Sequence, residues 1–307
     1  MNWKGVMPAM TTAFDSALQV DHAFIARHAQ WLMNNGCTGI VCLGSLGEAA
    51  TLTFEEKIAI VKTTVTAVSP QIPVVGAISA LSTAEAVSLA KSVADAGADG
   101  LMILPPYVYR GDWRETKAHV AAILQATRLE AMLYNNPIAY GTDFTPEQIA
   151  ELAAEFPNLA AVKESSADVR RVTAIRALTG QRLAIFVGVD DAIVEGIHAG
   201  AVGWIAGLVN AFPRESVELL ELAVHGEEQK AFEVYRWFLP LLRMDTVPKF
   251  VQLIKQVQEE MGVGSARIRP PRLPVTGDEL AETRTLLAKA LALRPNGASV
   301  SSAFPAP

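Results

Sequence analysis

Short apolar runs alternate with longer segments whose apolar residues recur at helical spacing. The runs at residues 6–11, 38–43, 73–77, 99–104, 130–134, 159–163, 183–187 and 202–205 read as buried strands. Between them lie helical patterns at 22–35, 53–68, 82–96 and 112–126, one opening at 145, and further ones at 168–178, 191–200 and 213–225. The boundaries carry their own signals. Asp21 stands where an N-cap belongs, and Gly36 where a C-cap does. Thr53-Phe54-Glu55-Glu56 is a capping box, and Pro146 occupies a first helical position. The result is eight strand-then-helix units in about 225 residues. Such alternation demands a parallel sheet, and eight units close it into a (β/α)8 barrel of the α/β class. Gly36-Cys37-Thr38-Gly39-Ile40, Gly97-Ala98-Asp99-Gly100-Leu101 and Gly200-Ala201-Val202-Gly203-Trp204 each form a helix stop feeding a strand, echoes of one unit.

Beyond the eighth unit come helical patterns at 227–242, 246–261 and 278–293, with a stiff Arg269-Pro270-Pro271-Arg272-Leu273-Pro274 connector. The expected organisation is a barrel over residues 1–225, a C-terminal helical annex over 226–294 and a flexible Ser, Ala and Pro-rich tail over 295–307. The chain has 307 residues, half of them hydrophobic, which suffices for a large core. No run of 18 or more apolar residues appears, so no membrane span is expected. Met1-Asn2-Trp3-Lys4-Gly5 leads straight into strand-like sequence, without the pattern of a secretory leader. Cys37 and Cys42 have neither metal nor disulfide spacing and read as small buried residues in a reducing, cytoplasmic compartment. A net charge of −6 with no dense basic cluster argues against a nucleic-acid partner. No His, Asp and Glu cluster has ligand spacing, so neither metal nor cofactor is expected, and the partner is a small molecule.

A (β/α)8 barrel carries its chemistry at the C-terminal ends of the strands. There the sequence sets Gly44-Ser45-Leu46-Gly47-Glu48 after the second strand, Tyr134-Asn135-Asn136-Pro137 at the end of the fifth and Lys163 at the end of the sixth. Gly188-Val189-Asp190-Asp191 follows the seventh. A lysine buried at a strand end loses charge to desolvation, and its neutral amine attacks carbonyl carbon. The plainer reading of Lys163 is a strand reaching solvent. Glycines around Ser45 let the backbone approach a carboxylate, or else mark an ordinary turn. Tyr134 either relays protons at the mouth or sits at the rim of the core with one satisfied hydrogen bond. Three such residues on three strand ends of one barrel are the parts of an imine mechanism for a 2-keto acid or cyclic imino acid.

These motifs, in this order, resemble the dihydrodipicolinate synthase / N-acetylneuraminate lyase family over residues 3–290. The resemblance implies pyruvate-type Schiff-base chemistry on a homotetrameric barrel. It makes Lys163 the Schiff-base lysine, Tyr134 the proton-shuttling tyrosine and Ser45 the hydroxyl after the first glycine. Tyr107, or the nearby Tyr109, would be the tyrosine lent to a neighbouring subunit's site. Leu46, Asn136, Ser165 and Gly188 complete the expected substrate-binding set. Two departures bear on substrate. Leu46 stands where synthases carry a second hydroxyl, and Ile138-Ala139-Tyr140-Gly141-Thr142 lacks their arginine. The combination looks most like the 1-pyrroline-4-hydroxy-2-carboxylate deaminase branch, which forms 2,5-dioxopentanoate and ammonia in hydroxyproline degradation. The alternative is a class I pyruvate-dependent aldolase or lyase of the N-acetylneuraminate lyase or dihydrodipicolinate synthase type.

Overall fold

The eight apolar runs do pair side by side. In the computed structural model, which describes every residue except Tyr107, Asn296, Ala306 and Pro307, the chain begins with β1 (Gly5–Pro8), α1 (His22–Asn34), β2 (Ile40–Cys42) and α2 (Phe54–Val68). It continues through β3 (Val74–Ile78), α3 (Thr83–Asp95), β4 (Gly100–Ile103), α4 (Trp113–Ala126) and β5 (Glu130–Asn135). Then come α5 (Pro137–Tyr140), α6 (Pro146–Glu155), β6 (Leu159–Glu164), α7 (Arg170–Thr179) and β7 (Ala184–Val187). The last unit is α8 (Ile193–His198), β8 (Gly203–Ala206) and α9 (Pro213–Val224). All pairings between neighbouring strands are parallel, in the order β1-β8-β7-β6-β5-β4-β3-β2. A parallel bridge between Ala9 and Val41 brings the first and last strands of that order together. The barrel follows from covering the strands on both faces. Every residue of β3 is buried, which is why its sequence is a continuous apolar run and does not alternate.

Local chemistry sets the helix starts. Capping boxes pair Thr53 with Glu56, Asp112 with Glu115 and Thr145 with Gln148. Each satisfies backbone N–H groups that no helical carbonyl can reach, worth about 1 kcal/mol. One element departs from expectation. The stretch after Tyr134 reads as a loop, yet Pro137–Tyr140 forms a short helical turn, because the Asn136 side chain accepts from Ala139 N at 2.9 Å and Pro137 begins it.

The annex comprises α10 (Glu228–Leu242), α11 (Phe250–Glu260) and α12 (Gly277–Ala292). It packs against the strand C-terminal ends. Lys255 Nζ donates to Thr12 O and Glu48 Oε1, at 2.9 and 2.8 Å, in the loops after β1 and β2. Thr11 Oγ1 donates to Gln258 Oε1 at 2.9 Å. Part of the tail meets α1. Trp31 Nε1 donates to Ser302 O and Ser302 N to Asn35 Oδ1, both at 2.8 Å, and the Phe304 ring stacks on Phe24. Its low-complexity composition hid one aromatic residue with a prepared place on α1. Among the described residues, no helix is long and apolar enough to cross a membrane.

Candidate active site

β5 and β6 pair so that Tyr134 lies opposite Lys163. Side chains in register on neighbouring parallel strands point the same way, and the Lys163 Nζ sits 4.2 Å from the Tyr134 ring centroid. Both are almost fully buried. Burial drives the Lys163 pKa down, and the nearby Asp245, Tyr140 and Asp190 only partly oppose it. The amine therefore releases its proton more readily than a surface lysine does. Burial pushes the Tyr134 hydroxyl the other way, up to about 12, so it stays protonated and able to donate. Asn136 Nδ2 donates to Tyr134 Oη at 3.1 Å.

The Ser45 loop is held in an unfavourable backbone shape. Leu43 and Glu48, on either side, have φ of +65° and +54°, a region that side-chain-bearing residues seldom adopt. The fully buried Glu48 carboxylate holds the turn, accepting from Lys255 Nζ and, at 3.1 Å, from Arg269 N. Ser45 is thereby aimed at the mouth, where its hydroxyl hydrogen-bonds to that of Tyr140. The Tyr140 ring meets Tyr134 edge to face at 5.7 Å. Ser45, Tyr140 and Tyr134 thus form one group around Lys163. Leu46 is buried in the core and offers no polar atom there.

The opposite wall comes from β6, β7 and β8. A Cβ at Gly188 would lie 2.0 Å from Ser165 Oγ and 2.5 Å from Lys163 Cε, so only glycine leaves room for the lysine. Ser165 Oγ is buried beside the Tyr134 hydroxyl, where it partly opposes the upward push of burial on that group. Asp190 is completely buried and accepts from Trp204 Nε1 at 2.9 Å, from Gly207 N at 3.1 Å and from Leu208 N at 2.9 Å. Asp245, from the turn between α10 and α11, lies over Gly207, where a Cβ would come within 2.0 Å of its Oδ1.

The structure therefore brings Lys163, Tyr134, Ser45, Asn136, Ser165 and Gly188 together. Asn135, next to Asn136 in the same motif, is occupied structurally: its amide bonds Glu164 Oε2, Asp143 Oδ1 and Phe144 N. Tyr107 lies outside the described residues, and Tyr109 is exposed, its hydroxyl on Glu115. Sequence reasoning missed Tyr140, Asp190 and Asp245. Asp190 had a signal, its place directly after the seventh strand. Tyr140 stood in a loop read only for a missing arginine, and Asp245 had no local signal. Among the described residues, no group of three or more His, Cys, Asp or Glu could hold a metal ion.

Set beside known proteins, residues 2–290 match the model of the dihydrodipicolinate synthetase family. The 4-hydroxy-tetrahydrodipicolinate synthase of Methanothrix thermoacetophila is 30% identical over 288 residues, covering 94% of this chain and 97% of that one. The solved synthase of Methylacidiphilum fumariolicum SolV superposes with a TM-score of 0.91 at 27% identity, covering 94% of this chain and 96% of that one. The synthase of Acinetobacter baumannii, solved in complex with pyruvate, does so with a TM-score of 0.90 at 28% identity, covering 94% and 99%. These relatives are synthases. The expected nearer kinship with hydroxypyrroline-carboxylate deaminases draws no support from them. Matched along nearly its whole length, the chain belongs to the dihydrodipicolinate synthetase family and is a lyase enzyme that uses a Schiff-base lysine.

Proposed function

We propose that the chain is a class I lyase that binds pyruvate, or a 2-keto acid containing it, as a Schiff base on Lys163. One observation carries this reading: a buried lysine whose amine faces Tyr134, beside a Ser45–Tyr140 hydroxyl pair. The neutral amine attacks the ketone carbon, and a proton from Tyr134 lets the carbinolamine oxygen leave as water. The protonated imine then draws electrons from the neighbouring carbon, which loses a proton and becomes an enamine. The enamine carbon forms a bond to an aldehyde carbon, whose oxygen takes up a proton. Water hydrolyses the imine and frees Lys163. The reverse sequence is cleavage. Ser45 and Ser165 are the polar contacts for the keto acid's carboxylate. The pyruvate found in the Acinetobacter baumannii relative supports the choice of keto acid.

A second reading, deaminating dehydration of 1-pyrroline-4-hydroxy-2-carboxylate to 2,5-dioxopentanoate and ammonia, is favoured by the lack of any basic side chain in residues 138–142. Homotetrameric assembly, with Tyr107 or Tyr109 reaching a neighbour's site, belongs to either reading. Exposed Leu81, Val108 and Ile138 give the rim an apolar surface for it.

Borohydride trapping tests the proposal. Pyruvate should add its mass to Lys163 in the wild-type protein and not in Lys163→Ala, with aldehyde-dependent turnover and no ammonia release. An adduct that persists in Lys163→Ala would sink it, and ammonia released from the hydroxypyrroline would move the function to the second reading.

A further inference from the structure

We propose that Asp245 selects the substrate, binding a hydroxyl on the part of the keto acid beyond its reacting carbon and refusing a second carboxylate there. This rests on the Schiff-base reading above and narrows its substrate class. The side chain reaches the mouth from the annex, on the turn Arg243–Thr246, and its carboxyl lies against Gly207 at the end of β8. Asp245 is half-buried, hence open to a ligand. Among the described residues its carboxyl has no hydrogen bond and no ion pair. Asp190 beside it is the contrary case, fully buried with its oxygens engaged by Trp204, Gly207 and Leu208, and so forms a wall. A polar group enclosed to this degree without a partner is costly, and a substrate hydroxyl supplies the missing partner.

The charges facing Asp245 decide the rest. Asp190 and Asp191 act on it as like charges, and Lys163 is the one opposing cation. Arg243 does not compensate, since its side chain is mostly exposed and lies 3.5 Å from Asp191. Burial and the neighbouring acids push the Asp245 carboxyl upward, and the positive charge on Lys163, which the iminium keeps, pulls it back toward the ionised form. A hydroxyl can accept from the protonated form and donate to the ionised one, so it suits both. Once Lys163 is an iminium, the substrate's own 2-carboxylate matches its charge. A second carboxylate set against Gly207 would meet Asp190, Asp191 and Asp245, whereas the Arg110 guanidinium lies by Gly141 on another part of the rim.

The test uses the full-length protein and three keto acids: pyruvate, 4-hydroxy-2-oxopentanoate and 2-oxoglutarate. The reading is the concentration of each that gives half-maximal borohydride labelling of Lys163, by intact mass, divided by the value for pyruvate in the same variant. That division removes any change in Lys163 itself. In the wild type, 2-oxoglutarate should need about tenfold more than the hydroxy acid. Asp245→Asn should shrink that ratio to about twofold, and Asp245→Ala should also weaken the hydroxy acid. A wild-type ratio near one, or a ratio unmoved in both variants, overturns the proposal. Equal changes for all three acids do so too, because Asp245 would then act only through the lysine. Pyruvate labelling also reports whether each variant has folded. If pyruvate fails to label the wild type, the function proposed above falls and this inference with it.

Discussion

In the proposed reaction, Lys163 works only with the neighbours that make its amine available and move its protons. Leu46 interrupts the expected row of hydroxyls after Ser45, and Tyr140 restores it from the other side of the mouth, bonded to Ser45 and packed on Tyr134. Tyr134→Phe should lower kcat by about 10²-fold or more, the usual loss for a positioned acid–base group. Tyr140→Phe should cost less, about tenfold, since Tyr134 keeps its own hydroxyl. Steady-state kinetics would check both, and an unaffected Tyr140→Phe would remove Tyr140 from the relay. The pH profile follows from the same burial. Only neutral Lys163 attacks, so labelling should rise with pH through the lysine pKa. Because burial lowers that pKa, the rise should be centred below the ordinary lysine value. Asp245→Asn removes a neighbour that raises the pKa and should move the midpoint lower still. Initial labelling rates across pH measure both, and a midpoint at or above the ordinary value would contradict the first.

At the scale of elements, the important joint is between α11 and the loop that carries Ser45. Lys255 and Glu48 meet at 2.8 Å with both side chains almost wholly out of solvent. A buried pair of this kind is not in itself strong evidence of stability, but removing one partner strands the other charge. Lys255→Met should therefore destabilise the protein by about 3–5 kcal/mol. The double variant Glu48→Gln/Lys255→Met should recover part of the loss. Thermal unfolding measures the difference, and equal melting of single and double variants would mean that the pair does not couple. Since Glu48 sits in the strained turn beside Ser45, KM for the keto acid should rise in the single variant as well. Glu48 is paired across a long stretch of chain. Its partner lies more than two hundred residues further on, in a segment whose helical pattern says nothing of what it touches.

For the molecule as a whole, the annex is part of the active end of the barrel. It supplies Asp245 to the mouth, Lys255 to the Ser45 turn and Gln258 to the loop after β1. Arg269 adds a charged pair with Glu56 at the start of α2. A chain ended after residue 225 would leave the buried Glu48 carboxylate without its cation and uncover the apolar strand-end loops. It should show no cooperative thermal transition by circular dichroism and no pyruvate labelling. A truncated barrel that melts cooperatively would show the two parts to be independent.

The eight units, their order and the strand-end position of Lys163 were readable from the chain because they depend on local physics. Apolar periodicity separates strand from helix, caps mark the boundaries, and a parallel sheet of eight units has few ways to close. Tyr134 was readable for the same reason, as the polar end of an apolar run. The short helix at Pro137–Tyr140 was not, being a single turn with too few residues to show a period. Only the folded chain decides that Tyr140 meets Ser45, that Lys255 meets Glu48 and that Asp245 enters the mouth. Each of these depends on how elements remote in sequence lie against one another, and no local pattern of apolar and polar residues encodes that. Sequence thus determined the barrel and the strand-end place of the lysine proposed as its nucleophile, while tertiary packing chose the neighbours that set that lysine's pKa.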